Sequence, residues 1–122
     1  TGITIINDAY SANPVGVVGA LKTLGLYDTG RRLVITPGMI ELGTLQEEEN
    51  HKLGKLIAQY ATDVILVGAE QTKPVKQGLE AAGFSKGNVQ IVDEVREAMT
   101  WYEANFQAGD VVMFLNDLPD TY

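Results

Sequence analysis

Seven consecutive residues, Asp8-Ala9-Tyr10-Ser11-Ala12-Asn13-Pro14, place a carboxylate, a phenol, a hydroxyl and a carboxamide in one short stretch. They follow the apolar run Gly2-Ile3-Thr4-Ile5-Ile6-Asn7 and precede a helical pattern. The stretch therefore falls where a strand hands over to a helix, which in an open α/β sheet is where ligands bind. An acid just past a strand, as Asp8 is, can hold a ribose hydroxyl pair or a metal ion. Asn13-Pro14 is first of all a helix start, because Asn is a favoured N-cap and Pro a favoured first helical residue. That reading leaves function open, since a capped helix N-terminus also turns free N–H groups toward an anion. Asp8 and Tyr10 are not required by the cap.

Two further stretches share this character. Pro37-Gly38-Met39-Ile40-Glu41-Leu42-Gly43 is a long loop with apolar residues beside an acid. Such a loop either folds back on the core or touches a ligand or partner. Asn116-Asp117-Leu118-Pro119-Asp120 ends the last apolar run with polar groups, and reads as a turn or as a ligand contact. Glu47-Glu48-Glu49 reads as a solvated helix start, and His51, the single histidine, as a surface helical residue beside an apolar stripe. No GxGxxG follows the first strand, no GxxxxGK[ST] phosphate loop occurs, and there is no GxSxG elbow. No catalytic residue and no metal ligand is assigned within this chain, and any ATP phosphates must be cradled elsewhere.

The elements that position these groups alternate. Strands are expected at Ile3 to Asn7, Arg32 to Thr36, Asp63 to Val67, Val89 to Val92 and Val111 to Leu115. Helices are expected from Pro14 to about Leu26, with Val18, Leu21 and Leu24 or Gly25 inward, and from Gln46 to Ala61, with Leu53, Leu56, Ile57, Tyr60 and Ala61 inward. A short helix spans Pro74 to Ala82, closed by Gly83, and a last one, capped by Asp93, carries Val95, Ala98, Met99, Tyr102 and Phe106 at helical spacing. Alternation of this kind means crossover connections. The expected fold is a three-layer, Rossmann-like α/β domain with a mainly parallel sheet of five or six strands, one domain over residues 1–122. In such a sheet every strand's carboxyl end lies on one rim, and the polar loops gather there.

Composition sets the outer bounds. The chain of 122 residues has a net charge of −7 and no cysteine. That removes disulfides, thiolate metal sites and cysteine nucleophiles. No basic stripe marks a nucleic-acid surface, and the anionic balance disfavours acidic membranes. The absence of cysteine fits a cytoplasmic protein; the apolar runs are too short to span a bilayer, and no signal peptide is visible. Thr1 stands where a Met would begin a gene product, so the chain is expected to be a piece of a longer protein with polypeptide missing on the N-terminal side.

The Asp8–Pro14 stretch resembles the Asp-x-Tyr-Asn-Ala-Asn-Pro sequence that opens the C-terminal domain of the Mur ligases, and Pro37–Gly43 resembles the Gly-Asp-Met-x-Glu-Leu-Gly of the branch that adds D-alanyl-D-alanine. The resemblance covers nearly the whole chain. It implies an ATP-dependent amide-forming ligase of peptidoglycan precursor synthesis with three domains, of which the UDP-sugar domain and the central ATPase domain are absent from this chain. ATP, with Mg held mainly by the central domain, converts a carboxylate of the UDP-muramoyl peptide to an acyl phosphate, which the amine of an amino acid or D-Ala-D-Ala attacks. The resemblance places Asp8, Tyr10 and Asn13 on the ribose side of the ATP site. It makes Ser11, Glu41, Asn50, Asn116 and Asp117 candidate substrate or interdomain contacts. It also implies that the isolated domain is inactive. The sequence departs from the family where Gly38 replaces an acid, where Asn50 stands at a histidine position, and where an acidic loop after Leu115 replaces a basic one. A folylpolyglutamate-type ligase domain shares the fold. A non-enzymatic module akin to a receiver domain would need a phospho-acceptor Asp on its central strand, and the third strand ends Val67-Gly68-Ala69.

Overall fold

A run of β-branched and long aliphatic residues can bury both sides of a strand only when helices cover both faces of the sheet. Asp63-Val64-Ile65-Leu66-Val67 meets that condition along its whole length, every residue being buried in the computed structural model, which describes residues 2–8, 14–40 and 42–116. The elements in order are β1 (Thr4–Asp8), α1 (Pro14–Leu24), β2 (Arg32–Thr36), α2 (Gln46–Tyr60), β3 (Asp63–Val67), α3 (Lys73–Ala81), β4 (Val89–Val92), α4 (Val95–Asn105) and β5 (Val111–Leu115). Single 3₁₀ turns at Gly43–Leu45 and Lys86–Asn88 lead into α2 and β4.

The five strands are ordered β1-β5-β2-β3-β4, and every pairing is parallel. The sequence leaves a sixth or antiparallel strand open; none occurs among the described residues. The chain steps outward through β2, β3 and β4, then returns to insert β5 between β1 and β2. Right-handed crossovers running in opposite directions put their helices on opposite faces. Accordingly α1, α2 and α3 pack on the face that displays Val34, Val64, Leu66, Met113 and Leu115. On the other face, α4 packs on Leu33, Ile35, Ile65 and Val112 through Val95, Ala98, Tyr102 and Phe106.

Two local expectations are corrected. The inward side of α1 is formed by Val17, Ala20, Leu21 and Leu24, with Val18 half-buried. The N-cap of α4 is Glu94 rather than Asp93; its carboxylate accepts from the N–H of Glu97, and the Glu97 carboxylate accepts from the N–H of Glu94. This reciprocal box satisfies donors that a lone aspartate cap would leave open.

α2 and α3 cross closely because both carry glycine at the contact. A Cβ on Gly54 would stand 2.1 Å from the Val75 carbonyl oxygen, and one on Gly78 would stand 2.1 Å from that of His51. The crossing fixes the depth of α2 and, with it, the loop that precedes it. The amino-terminal rim of the sheet is tied by Arg31. Its guanidinium donates to both Asp63 carboxylate oxygens, at 3.2 and 2.7 Å, and lies 4.5 Å from the Phe106 ring centroid. The Asp63 hydrogen bond holds the Arg31 pKa above its ordinary value.

Candidate functional site

Parallel pairing brings the carboxyl ends of β1, β5 and β2 side by side on one rim. Asp8 is the last residue of β1 and pairs with Leu115 of β5. Its side chain is half-buried, and its carbonyl accepts from the Asn116 N–H at 3.1 Å. The residues that follow, 9–13, lie outside the described residues, as do Glu41 and residues 117–122. Of the candidate contacts, Tyr10, Ser11, Asn13, Glu41 and Asp117 are therefore not placed, whereas Asp8, Asn50 and Asn116 are.

After β2 the chain turns inward. Thr36, Pro37, Gly38 and Met39 are buried, while Ile40 is 52% exposed. The loop thus divides between packing and exposure rather than doing one alone. Gly38 has φ +79, a left-handed conformation that suits glycine, and a Cβ there would stand 2.8 Å from the Asn50 Oδ1. The Thr36 hydroxyl accepts from the Gly38 N–H at 3.0 Å.

Asn50 is the clamp of this loop. Its Oδ1 accepts from the Met39 N–H at 2.8 Å, and its Nδ2 donates to the carbonyls of Met39 and Gln46, each at 2.8 Å. Gln46 completes the arrangement, its Nε2 donating to the Met39 carbonyl and its Oε1 accepting from the Leu42 N–H. The Asn50 carboxamide is buried with both of its N–H donors engaged. In this structure it shapes the rim from beneath.

Gln46 and Thr36 are rim-shaping residues that inspection of motifs misses. The available signal is spacing: Gln46, Asn50, Leu53 and Ile57 continue a single helical stripe, so two amides stand where apolar residues would ordinarily pack. Gln71 makes a similar contribution after β3, its Nε2 donating to the carbonyls of Pro37 and Val67, each at 3.3 Å. These bonds join the loops after β2 and β3. The centre of the sheet is β2, which ends at Thr36. Neither it nor β3 presents an aspartate at its carboxyl end, so the receiver arrangement has no phospho-acceptor at either position.

Asn116 completes the placed rim. It has φ 71 and is 3% exposed. Its Nδ2 donates to the Gly38 carbonyl at 3.2 Å, while its Oδ1 has no partner among the described residues. Those residues contain no trio of His, Cys, Asp or Glu arranged to hold a metal ion. No helix among them is long and apolar enough to cross a membrane.

An all-parallel sheet with helices on both faces, and a rim of acid and amide groups at its strand exits, defines a Rossmann-like ligand-binding α/β domain. Within that class, the family model described as "Mur ligase, glutamate ligase domain" matches residues 1–115. The chain belongs to the Mur ligase family, as its C-terminal domain.

Among its relatives is the UDP-N-acetylmuramoyl-tripeptide–D-alanyl-D-alanine ligase of Bacillus subtilis (strain 168), 27% identical over 115 residues that make up 93% of this chain and 25% of that protein. The fold is shared with the MurF ligase from Thermotoga maritima in complex with ADP, with a TM-score of 0.73 and 19% identity, over 96% of this chain and 25% of that one. It is shared also with MurF from Acinetobacter baumannii, with a TM-score of 0.67 and 19% identity, over 92% of this chain and 24% of that one. A domain from a putative UDP-N-acetylmuramate:L-alanyl-gamma-D-glutamyl-medo-diaminopimelate ligase of Haemophilus ducreyi matches with a TM-score of 0.66 and 16% identity, over 95% of this chain and 80% of that one. The chain spans about a quarter of the length of the curated relative it matches.

Proposed function

We propose that this chain is the amine-substrate domain of an ATP-dependent, amide-forming ligase of peptidoglycan precursor synthesis, acting in the cytoplasm and closing over ATP held by a central ATPase domain of the same protein. In this reading ATP phosphorylates a carboxylate of a UDP-muramoyl peptide, releasing ADP. The incoming amine then forms the C–N bond as the acyl carbon–oxygen bond to phosphate breaks, and the nitrogen gives up a proton to solvent. Closure excludes water from the acyl phosphate.

The observation that carries the proposal is the position of Asp8, at the carboxyl end of β1 on the same rim as Gly38 and Asn116, within a chain matched to the family over residues 1–115. A carboxylate there can accept hydrogen bonds from ribose hydroxyls, with Tyr10 and Asn13 as neighbours in the same loop. In this reading the ATP phosphates and Mg are assigned to the central domain, in keeping with a sequence that carries no GxxxxGK[ST] motif.

Substituting Asp8→Ala in the full-length protein is expected to raise the apparent KM for ATP roughly tenfold, the worth of one hydrogen bond to a charged group. The circular dichroism and melting temperature should stay near those of the parent. An unchanged KM would remove Asp8 from the nucleotide site. The chain alone is expected to release no ADP, and ATP turnover by it would overturn the division of labour.

A further inference from the structure

β4 forms one edge of the sheet, opposite β1 and the proposed nucleotide site, and among the described residues it pairs only with β3. Its outer side is a row of backbone donors and acceptors without a neighbouring strand. Such edges are ordinarily blunted by a proline, by a charge within the strand or by a covering element. Val89-Gln90-Ile91-Val92 contains neither proline nor charge, and Ile91 is 43% exposed. Beside it runs an apolar groove of about 250 Å³ between β4 and α3, floored by Leu79, Phe84, Val89 and Ile91.

The charges along this groove decide what can lie in it. On α3, Lys76 and Glu80 stand four residues apart at the groove, both exposed, in the order that gains less from pairing within one helix. β4 is preceded by Lys86, also at the groove, and followed at once by Asp93, both exposed. None of the four makes an ion pair among the described residues. A partner of one sign would leave half of these charges opposed. A second copy running antiparallel presents the same charges in reverse order, so that Lys76 meets Glu80 and Lys86 meets Asp93. A copy running parallel would set like charges against each other.

We propose that β4 is a self-association edge, through which two copies of the protein pair by antiparallel β4 strands about a two-fold axis perpendicular to the sheet. The two five-stranded sheets then become one continuous sheet. The axis keeps both α3 helices on the same face, where they close over Ile91, Phe84 and their counterparts. Backbone bonds along the ladder hold the strands, and the apolar groove and the charges select the partner. The contact is isologous, so every charged pair occurs twice. The loop after β1 lies at the other edge and stays free, and the proposal stands independently of the ligase reading.

The test is sedimentation velocity of the full-length protein at low ionic strength, over concentrations from about 1 to about 200 µM, because a short ladder with two helices is a small interface for which a dimer dissociation constant on the order of 10 µM is expected. Lys76→Glu and Glu80→Lys are each expected to raise that constant about tenfold, since each turns two attractive pairs into two repulsive ones. The double variant should return it to within about threefold of the parent. Ile91→Lys places a charge in the edge strand at an exposed position and is expected to give monomers that keep the parent's circular dichroism. A monomer at every concentration overturns the proposal. A dimer that survives Ile91→Lys overturns it too, as does a double charge swap that stays folded without restoring association. Should Ile91→Lys fail to fold, the charge-swap cycle decides alone. ADP release per protomer should be the same in Ile91→Lys as in the parent, and a loss of ADP release in the parent itself would overturn the ligase reading without touching this one.

Discussion

The two rims of the sheet are built from similar residues and to opposite ends. On the amino-terminal rim, polar groups meet partners inside the fold. The Asp63 carboxylate accepts from Arg31 through both oxygens, and that of Asp110 accepts from the N–H groups of Arg31 and Gln107. The Thr62 hydroxyl accepts from the Arg32 N–H and has one proton to give, to the Asp63 carboxylate at 2.8 Å or to the Arg32 carbonyl at 3.1 Å. On the carboxyl-terminal rim, Asn50 closes its own set of bonds, while the Asn116 Oδ1 has no partner among the described residues and its backbone is left-handed. Among the described residues, the first rim has its polar groups paired, and the second has one buried acceptor that is not. Strain and unmet hydrogen bonds gather where function needs them, because elsewhere they only cost stability.

The largest effect is expected below the open rim. Asn50→Ala would remove the acceptor of the Met39 N–H and the donors to the Met39 and Gln46 carbonyls, all in a buried setting. Leaving the Met39 N–H without a partner should account for most of a loss of about 3 kcal/mol. Chemical denaturation would read this as a lower midpoint with little change in slope. A loss below about 1 kcal/mol would mean that the loop after β2 holds its shape without the clamp, and Asn50 would return to the pool of contact residues.

On the closed rim, Arg31→Ala would leave Asp63 buried without its cation and would remove the stack on Phe106. Breaking a fully buried pair costs about 3–5 kcal/mol, but the Arg31 side chain is 44% exposed and solvent can partly replace it. About 2 kcal/mol is expected. Because the proposed site lies at the opposite ends of the strands, the same variant in the full-length protein should keep its KM values for ATP and amine. A change in either would break the division between a rim for stability and a rim for function.

The architecture was more legible than the site, for reasons that these residues show. The boundaries of β2, β3 and β5 coincide with the apolar runs read from the sequence, because strands buried on both faces have no polar alternation to blur them; those of β4, a part-exposed edge strand, coincide as well. The strand order was not legible: only the structure shows β5 inserted beside β1, and that insertion is what brings Asp8 and Asn116 together. Asn50 was a candidate contact because the family resemblance sets it at a histidine position on the second helix. Its burial follows from the Gly54–Gly78 crossing, a long-range feature without a local signature. The unmatched oxygen of Asn116 belongs to the same class, since it follows from where Gly38 turns and not from the sequence around position 116.

The smallest effect is also the sharpest comparison. Asn50 and Asn116 are both buried asparagines on the same rim, and by burial alone truncating either should be equally harmful. Asn116→Gly should differ, because its gains and losses nearly cancel. The variant loses one hydrogen bond to the Gly38 carbonyl, worth about 1 kcal/mol, and adds freedom to the unfolded chain, costing up to about 1 kcal/mol. It also removes a desolvated, unmatched oxygen and places glycine where φ is 71, together returning about 1–3 kcal/mol. The expected net change in the free energy of unfolding lies within about 1 kcal/mol of zero, against about 3 kcal/mol lost in Asn50→Ala. Equilibrium denaturation of both variants beside the parent checks this directly. A loss of more than about 2 kcal/mol in Asn116→Gly would mean that the folded chain already supplies a donor to Oδ1, and the open rim would be as closed as its counterpart.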